Sequence, residues 1–92
     1  MNGNILDGLE ALAALDQFGT VSQAATRLRL TQSAVSKRLQ SLQRSVNFQI
    51  VEADGRRPRL TADAVSLLEK ARGAMSELRT RHSRRLQLQA VR

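Results

Sequence analysis

The sequence lacks most of the residue types that small domains use for chemistry. It has no cysteine, which excludes disulfide scaffolds, thiolate zinc sites and cysteine nucleophiles. Its single histidine, His82, cannot by itself form a metal site or a conventional catalytic triad. Since no paired carboxylates in an apolar setting are evident either, an enzyme is not expected. Aromatic residues make up only 2% of the chain, so a core must be aliphatic.

Long hydrophobic runs are also missing. No apolar stretch approaches the roughly 20 residues that a transmembrane helix needs, and Met1–Asn4 does not have the pattern of a secretory leader. Hydrophobic residues nevertheless account for 41% of the 92 residues, a globular proportion. The sequence therefore predicts one small, soluble, cytoplasmic domain with no membrane-spanning segment.

Basic residues are in excess: 15 Lys and Arg against 8 Asp and Glu give a formal charge of +7. Such a balance is typical of nucleic-acid binding, of binding to anionic membranes, or of a solvated basic surface with no partner. The arrangement of the charges has to distinguish these explanations.

Helical periodicity predicts three helices in the first half of the chain. They run from about Asn4 to Phe18, from Ser22 to about Arg29, and from just after Thr31 to Val46. The charged residues of the first helix are all acidic, so that helix is not expected to face a nucleic acid.

The predicted helix ends rest on capping residues. Ser22 and Thr31 are N-cap residues for the second and third helices. Gly19 and Asn47 follow the first and third helices, where a left-handed residue is expected.

The second and third helices form a helix-turn-helix signal. The connection between them is only Arg29-Leu30-Thr31, the second helix carries the small pair Ala24-Ala25, and the third has a polar stripe opposite Val35, Leu39 and Leu42. Any compact helical bundle also has short loops and apolar stripes, so spacing alone leaves both interpretations open.

The segment after Asn47 predicts a β-hairpin followed by a longer helix. Two short extended pieces flank the Asp54-Gly55 turn and a run of arginines, which gives the hairpin the character of a wing. Thr61 is expected to cap the next helix. An apolar seam with steps of four and three residues then predicts a dimer interface. Its members are Ala64, Leu68, Ala71, Met75 and Leu78.

Two groups of side chains are candidates for DNA contacts. The start of the third helix is where helix-turn-helix proteins place their base contacts, here Gln32, Ser33, Ser36 and Lys37. The wing arginines suit a phosphate backbone or a narrow minor groove, and we add further polar residues of the third helix as backbone contacts. This second group consists of Thr31, Arg38, Gln40, Arg56, Arg57 and Arg59. A solvated helix face and a solubilising loop are the alternative interpretations.

The helix-turn-helix region resembles the DNA-binding domain of LysR-type transcriptional regulators. The resemblance is carried by Ala24–Leu28 (AATRL), Thr31–Leu39 (TQSAVSKRL) and Leu42, and by the Gly-Arg turn that precedes Leu60-Thr61. Similarity of this kind extends over about residues 5 to 85.

The resemblance implies a mainly α-helical winged helix-turn-helix with a small β-hairpin wing and a long C-terminal linker helix. We expect the DNA-binding domain over residues 1–60, the linker helix over 61–85 and a frayed basic tail over 86–92. Family members bind interrupted palindromes in promoter DNA as homodimers, or as tetramers at full length. The matching positions imply base contacts by Gln32, Ser33, Ser36 and Lys37, and a groove-probing wing at Gly55–Arg57.

No cofactor is expected in this chain. In the family, the co-inducer binds a C-terminal effector domain for which 92 residues leave no room, so the chain is either part of a longer protein or a stand-alone form. Compared with the family, Asn47 replaces Gly, Val51 replaces Phe at the wing base, and Ala53 replaces a frequent Arg. A dimerising basic module that binds nucleic acid or acidic protein non-specifically is the alternative function.

Overall fold

The computed structural model describes residues 5–74, which form four helices and one two-stranded hairpin. Helix α1 spans Ile5–Phe18, α2 spans Val21–Leu28 and α3 spans Gln32–Ser45. Strands β1 (Val51–Asp54) and β2 (Arg57–Leu60) follow, and α4 runs from residue 62 to residue 74, where the described part ends. This order confirms the winged helix-turn-helix.

The core consists of aliphatic and small side chains, because the chain has almost no aromatic residues to fill it. Leu12 of α1, Leu42 of α3 and Leu68 of α4 are fully buried in one cluster. The buried pair Ala24-Ala25 lets α2 lie close to both α1 and α3. Burial of Ala24-Ala25 and of Val35, Leu39 and Leu42 confirms the predicted packing of the second and third helices.

Helix α1 crosses α3 at Gly8. A Cβ atom built on Gly8 would lie 2.7 Å from Leu42 Cβ and 3.2 Å from the Arg38 carbonyl oxygen. Carbon atoms in proteins do not approach this closely, so glycine is what allows the two helices to meet here.

The start of α2 differs from the prediction. Thr20, and not Ser22, is the N-cap: its Oγ1 accepts a hydrogen bond from the Gln23 backbone N–H at 3.1 Å. Thr20 and Gln23 have the Thr-x-x-Gln spacing of a capping box, which Ser22 lacks. The C-cap of the helix is Arg29, whose φ of 59° is left-handed.

The prediction for the residue after α1 is confirmed, and the prediction for the residue after α3 is wrong. Gly19 has a φ of 88°, as expected for the residue after α1. Asn47 is not left-handed: α3 ends at Ser45, and Val46 is extended with φ −122°. Since Val46 packs against the core, the chain leaves α3 in an extended direction that keeps this side chain covered.

The hairpin is antiparallel, with pairs from Val51↔Leu60 at its base to Asp54↔Arg57 at its tip. Gly55 has a φ of 66° at the first of the two turn positions, the pattern of a type II′ turn. Pro58 lies in β2, which is tolerated because both strands of a two-stranded sheet are edges. Leu60 is buried and anchors the hairpin to the core.

Helix α4 is capped by Thr61 as predicted: its Oγ1 accepts a hydrogen bond from the Ala64 N–H at 3.1 Å. Ala64 and Leu68, however, are 0% and 1% exposed and belong to the domain's own core. They have no surface left to offer a second chain, so their assignment to a dimer seam is wrong. The physical reason is that α1, α2 and α3 leave an apolar surface, which α4 covers.

The other three residues of the predicted seam are not shown to be fully buried. Ala71 is partly buried against the same core cluster, and Met75 and Leu78 lie outside the described residues. An ion pair between Arg72 Nη2 and Asp16 Oδ2, at 3.7 Å, further links α4 to α1.

Candidate nucleic-acid interface

One face of α3 is polar and exposed to solvent. It is formed at helical spacings of four, three and four residues by Ser33, Lys37, Gln40 and Arg44. The opposite face holds the buried side chains of Val35, Leu39 and Leu42. Helix α3 is therefore held to the core along one side and presents the other side as a continuous polar surface.

The four predicted base-contacting residues lie at the N-terminal end of α3. Gln32, Ser33 and Lys37 are exposed, and Ser36 is half-buried on the flank that faces the wing. This end of the helix is fixed by Thr31, whose Oγ1 accepts a hydrogen bond from the Ala34 N–H at 3.0 Å. The structure thus brings the four side chains together at one end of the helix.

Arg38 lies on a different side of α3 from these residues. Its Nη1 is 3.3 Å from Glu10 Oε1 and 3.8 Å from Asp7 Oδ1, both on α1. Arg38 is thus placed where α3 packs against α1, and its guanidinium already has carboxylate partners. A contact from Arg38 to a DNA backbone, as the sequence predicts, is not what this arrangement favours.

The wing carries the other predicted cations. Arg56, Arg57 and Arg59 are all exposed. Arg59 Nη1 lies 3.4 Å from Asp54 Oδ2, but the two side chains are 65% and 66% exposed. Such an open pair contributes little energy, so it leaves Arg59 able to exchange its partner for a phosphate.

The wing stands directly beside α3. A groove of about 320 Å³ separates them, with Ser36 and Gln40 on the α3 side and Val51 and Pro58 on the wing side. Val51, the residue at the wing base, lines this groove instead of closing it. The polar face of α3 and the arginines of the wing therefore form two adjacent parts of one surface.

Negative charge is excluded from the helix-turn-helix itself. No acidic residue occurs between Asp16 and Glu52, a stretch that includes all of α2 and α3. Within it, the guanidinium of Arg27, in the last turn of α2, lies over the Phe18 ring, 4.8 Å from its centroid. The long acid-free stretch gives the surface a positive potential suited to a polyanion.

Sequence reasoning did not predict the contacts of Gln43. Its side-chain amide donates to the Phe48 carbonyl at 2.7 Å and accepts from the Ile50 N–H at 2.9 Å, which joins α3 to the chain that enters the wing. The available signal was a long polar side chain directly beside the buried Leu42, a few residues before a segment with no helix or strand pattern.

Two other kinds of site are not found between residues 5 and 74. In that range no group of three or more His, Cys, Asp or Glu side chains is placed to hold a metal ion. None of the helices there has the length and apolar character needed to cross a bilayer.

Comparison with known proteins finds relatives among transcriptional regulators. An uncharacterized HTH-type transcriptional regulator of Vibrio cholerae is 35% identical over 74 residues, which are 80% of this chain and 26% of the relative. A second HTH-type regulator, from the ibpB-leuC intergenic region of Azotobacter vinelandii, is 38% identical over 73 residues. That match covers 79% of this chain and 51% of the relative, so the chain spans between a quarter and a half of the length of these proteins.

Solved structures share the fold. Vibrio fischeri DarR in complex with DNA gives a TM-score of 0.81 at 25% identity, over 99% of this chain and 31% of that one. The CbnR DBD–DNA complex gives a TM-score of 0.76 at 28% identity, over 95% of this chain and 98% of that one. The model of the bacterial regulatory helix-turn-helix proteins of the lysR family matches residues 6–65, most of the described fold. The chain belongs to this LysR family of bacterial regulators.

Proposed function

We propose that the chain binds double-stranded DNA sequence-specifically, as the DNA-binding part of a bacterial transcription regulator. The observation that carries the proposal is the exposed, acid-free face of α3 beside an arginine-rich wing. In this arrangement α3 enters the major groove and the wing follows the adjacent minor groove or backbone. The structures of DarR and of the CbnR domain, which share the fold and are in complex with DNA, support DNA binding by this chain.

Base readout is assigned to the N-terminal end of α3. The amide of Gln32 suits adenine, the ammonium of Lys37 suits guanine O6 and N7, and the hydroxyls of Ser33 and Ser36 suit several base edges. The major groove admits a helix, so these side chains need only their present exposure to reach it.

Backbone contacts are assigned to the surrounding polar residues, which are Thr31, Gln40, Arg44, Arg56, Arg57 and Arg59. Arg44 is included because it shares the exposed face with Lys37, whereas Arg38 is left out because it is paired with Asp7 and Glu10 of α1. Contacts of this kind set the register of the helix on the duplex and make the affinity depend on salt.

We further propose that two copies bind an interrupted palindrome. A dimer places two recognition helices in major grooves about 34 Å apart or a multiple of that distance. The part of the predicted seam that remains for pairing is the half-buried Ala71 together with Met75 and Leu78, which follow it in the sequence. In a longer protein the dimers could pair into tetramers and respond to a co-inducer, and the site of action would be the cytoplasmic nucleoid.

The two lysines of the described chain provide a matched test of base readout. Lys37→Ala should lower the affinity for a selected duplex by about 1–3 kcal/mol and relax the preference at one base pair. Lys70→Ala removes the same charge from an exposed position on α4 and should leave that preference unchanged. Fluorescence anisotropy with a panel of base-substituted duplexes measures both.

The panel also separates readout from simple charge. If Lys37→Ala weakens binding to every duplex by the same factor, Lys37 contacts phosphate and the assignment of base readout to it is wrong. If Lys37→Ala and Lys70→Ala behave alike, α3 does not face the DNA.

A further inference from the structure

The segment between α3 and β1 is held in place by side chains instead of by regular backbone pairing. Residues 46–50 form neither helix nor strand. The Phe48 carbonyl and the Ile50 N–H are nevertheless both paired, because the Gln43 side chain donates to the first at 2.7 Å and accepts from the second at 2.9 Å. One amide thus makes the two bonds that a neighbouring strand would make.

The same segment is held on its other side by the start of α4. Thr61 Oγ1 donates to the Gln49 carbonyl, and the Thr61 N–H donates to the Ile50 carbonyl at 3.1 Å. Buried Ile50 is therefore fixed between Gln43 on α3 and Thr61 at the end of the wing. These contacts determine where both strands of the hairpin leave the core.

Gln43 is the member of this junction that belongs to the recognition helix. It also lines the groove between α3 and the wing, together with Ser36 and Gln40. The two hydrogen bonds that join α3 to the wing base therefore lie beside the side chains that we expect to face DNA. Without it, the wing would be attached to the domain by its core contacts but no longer at a set distance from α3.

We propose that Gln43 is a positioning residue that sets the wing against the recognition helix, so that the affinity contributed by the wing arginines depends on the Gln43 amide. This inference rests on the proposed function. Gln43 itself touches no DNA in this account; its effect passes through Arg56, Arg57 and Arg59.

A double-mutant cycle tests this dependence. The four proteins are the wild type, Gln43→Leu, a wing variant with Arg56→Ala, Arg57→Ala and Arg59→Ala, and their combination. Gln43→Leu should weaken binding to a selected duplex about tenfold in the wild-type background and by no more than about twofold in the wing variant. Anisotropy titrations at one fixed salt concentration measure all four affinities.

Two further variants keep the test independent of stability. Gln43→Met keeps the length and neutrality of the side chain but offers no amide donor for the Phe48 carbonyl and no strong acceptor for the Ile50 N–H, so it should show the same coupling to the wing if Gln43→Leu does not fold. Leu9→Val, in the core on α1, lowers the thermal midpoint without touching the junction. It should weaken binding equally, if at all, in both backgrounds.

The outcomes separate this inference from the proposed function. Equal losses from Gln43→Leu in both backgrounds, or no loss in either, would overturn the positioning role while DNA binding by the wild type stands. A wild type that shows no preference for the selected duplex would overturn the proposed function and the inference together.

Discussion

Two basic side chains of the recognition helix lie in different surroundings. Arg38 and Arg44 are both basic residues of α3, but Arg38 contacts the α1 carboxylates of Asp7 and Glu10, whereas Arg44 is exposed on the polar face. A residue type does not reveal which flank of a helix will meet an acidic neighbour 28 positions away in sequence. The ion pairs of Arg38 are therefore a property of the packed domain.

The two arginines should respond differently to substitution. Arg44→Ala should weaken DNA binding and lower the slope of log affinity against log salt by about 0.9, the contribution of one phosphate contact. Arg38→Ala should leave the slope unchanged and reduce the free energy of unfolding by less than about 1 kcal/mol, as expected for partly exposed ion pairs. Titrations at several salt concentrations, with urea unfolding of the same proteins, measure both quantities. A shallower slope for Arg38→Ala would return that residue to the interface.

At the scale of elements, the orientation of α3 depends on its crossing with α1. Gly8 permits the crossing because a Cβ at this position would lie 2.7 Å from Leu42 Cβ, with backbone of α3 close behind. The helices would have to separate, and the polar face of α3 would move with them. In sequence, Gly8 is only a glycine in a predicted helix interior, where it looks like a local weakness.

Two glycines in helices provide a matched test of this crossing. Gly8→Ala should lower the free energy of unfolding by about 1–3 kcal/mol, because overpacking outweighs the better helix propensity of alanine. Gly73→Ala, in α4 with no atom within 4 Å of the added Cβ, should raise it by about 0.4–1 kcal/mol. Urea unfolding followed by circular dichroism measures both. If Gly8→Ala is as stable as the wild type, the crossing is looser than the structure shows.

The element boundaries show what sequence reasoning can and cannot reach. Periodicity places α1, α2, α3 and the hairpin, since an amphipathic pattern is local. The predicted start of α2, at Ser22, is wrong. The spacing of Thr20 and Gln23, which indicates the observed N-cap, is nevertheless a local signal in the sequence. The left-handed Arg29 is different, because arginine does not favour that conformation and only its surroundings select it. The extended Val46 instead agrees with the ordinary preference of a β-branched residue.

At the scale of the whole molecule, the core includes the first turns of α4. Ala64 and Leu68 have the spacing of a coiled-coil seam, and the same spacing serves equally well to pack a helix on its own domain. Sequence alone does not choose between these partners, because the choice depends on the apolar area that α1, α2 and α3 leave uncovered. For the same reason the sequence does not predict the two hydrogen bonds of Gln43, because they form only when α3 packs beside the wing base.

This burial changes how dimerisation has to be tested. Leu68→Arg would place a charge at a position that is 1% exposed, so it should abolish the cooperative unfolding transition instead of producing folded monomers. Leu78→Arg lies further along the predicted seam and should give folded monomers in sedimentation-velocity experiments. A folded Leu78→Arg protein that still sediments as a dimer would place the interface elsewhere on the chain.

The central claim is that the surface formed by α3 and the wing reads DNA sequence. The most direct test is an anisotropy titration of the chain with a random-sequence duplex and with a duplex selected from a pool, each at two salt concentrations. Our account predicts a preference of about 10³ or more for the selected duplex that persists at the higher salt. Equal and steeply salt-dependent binding to both duplexes would contradict it, since it would leave only a basic surface attracted to phosphate.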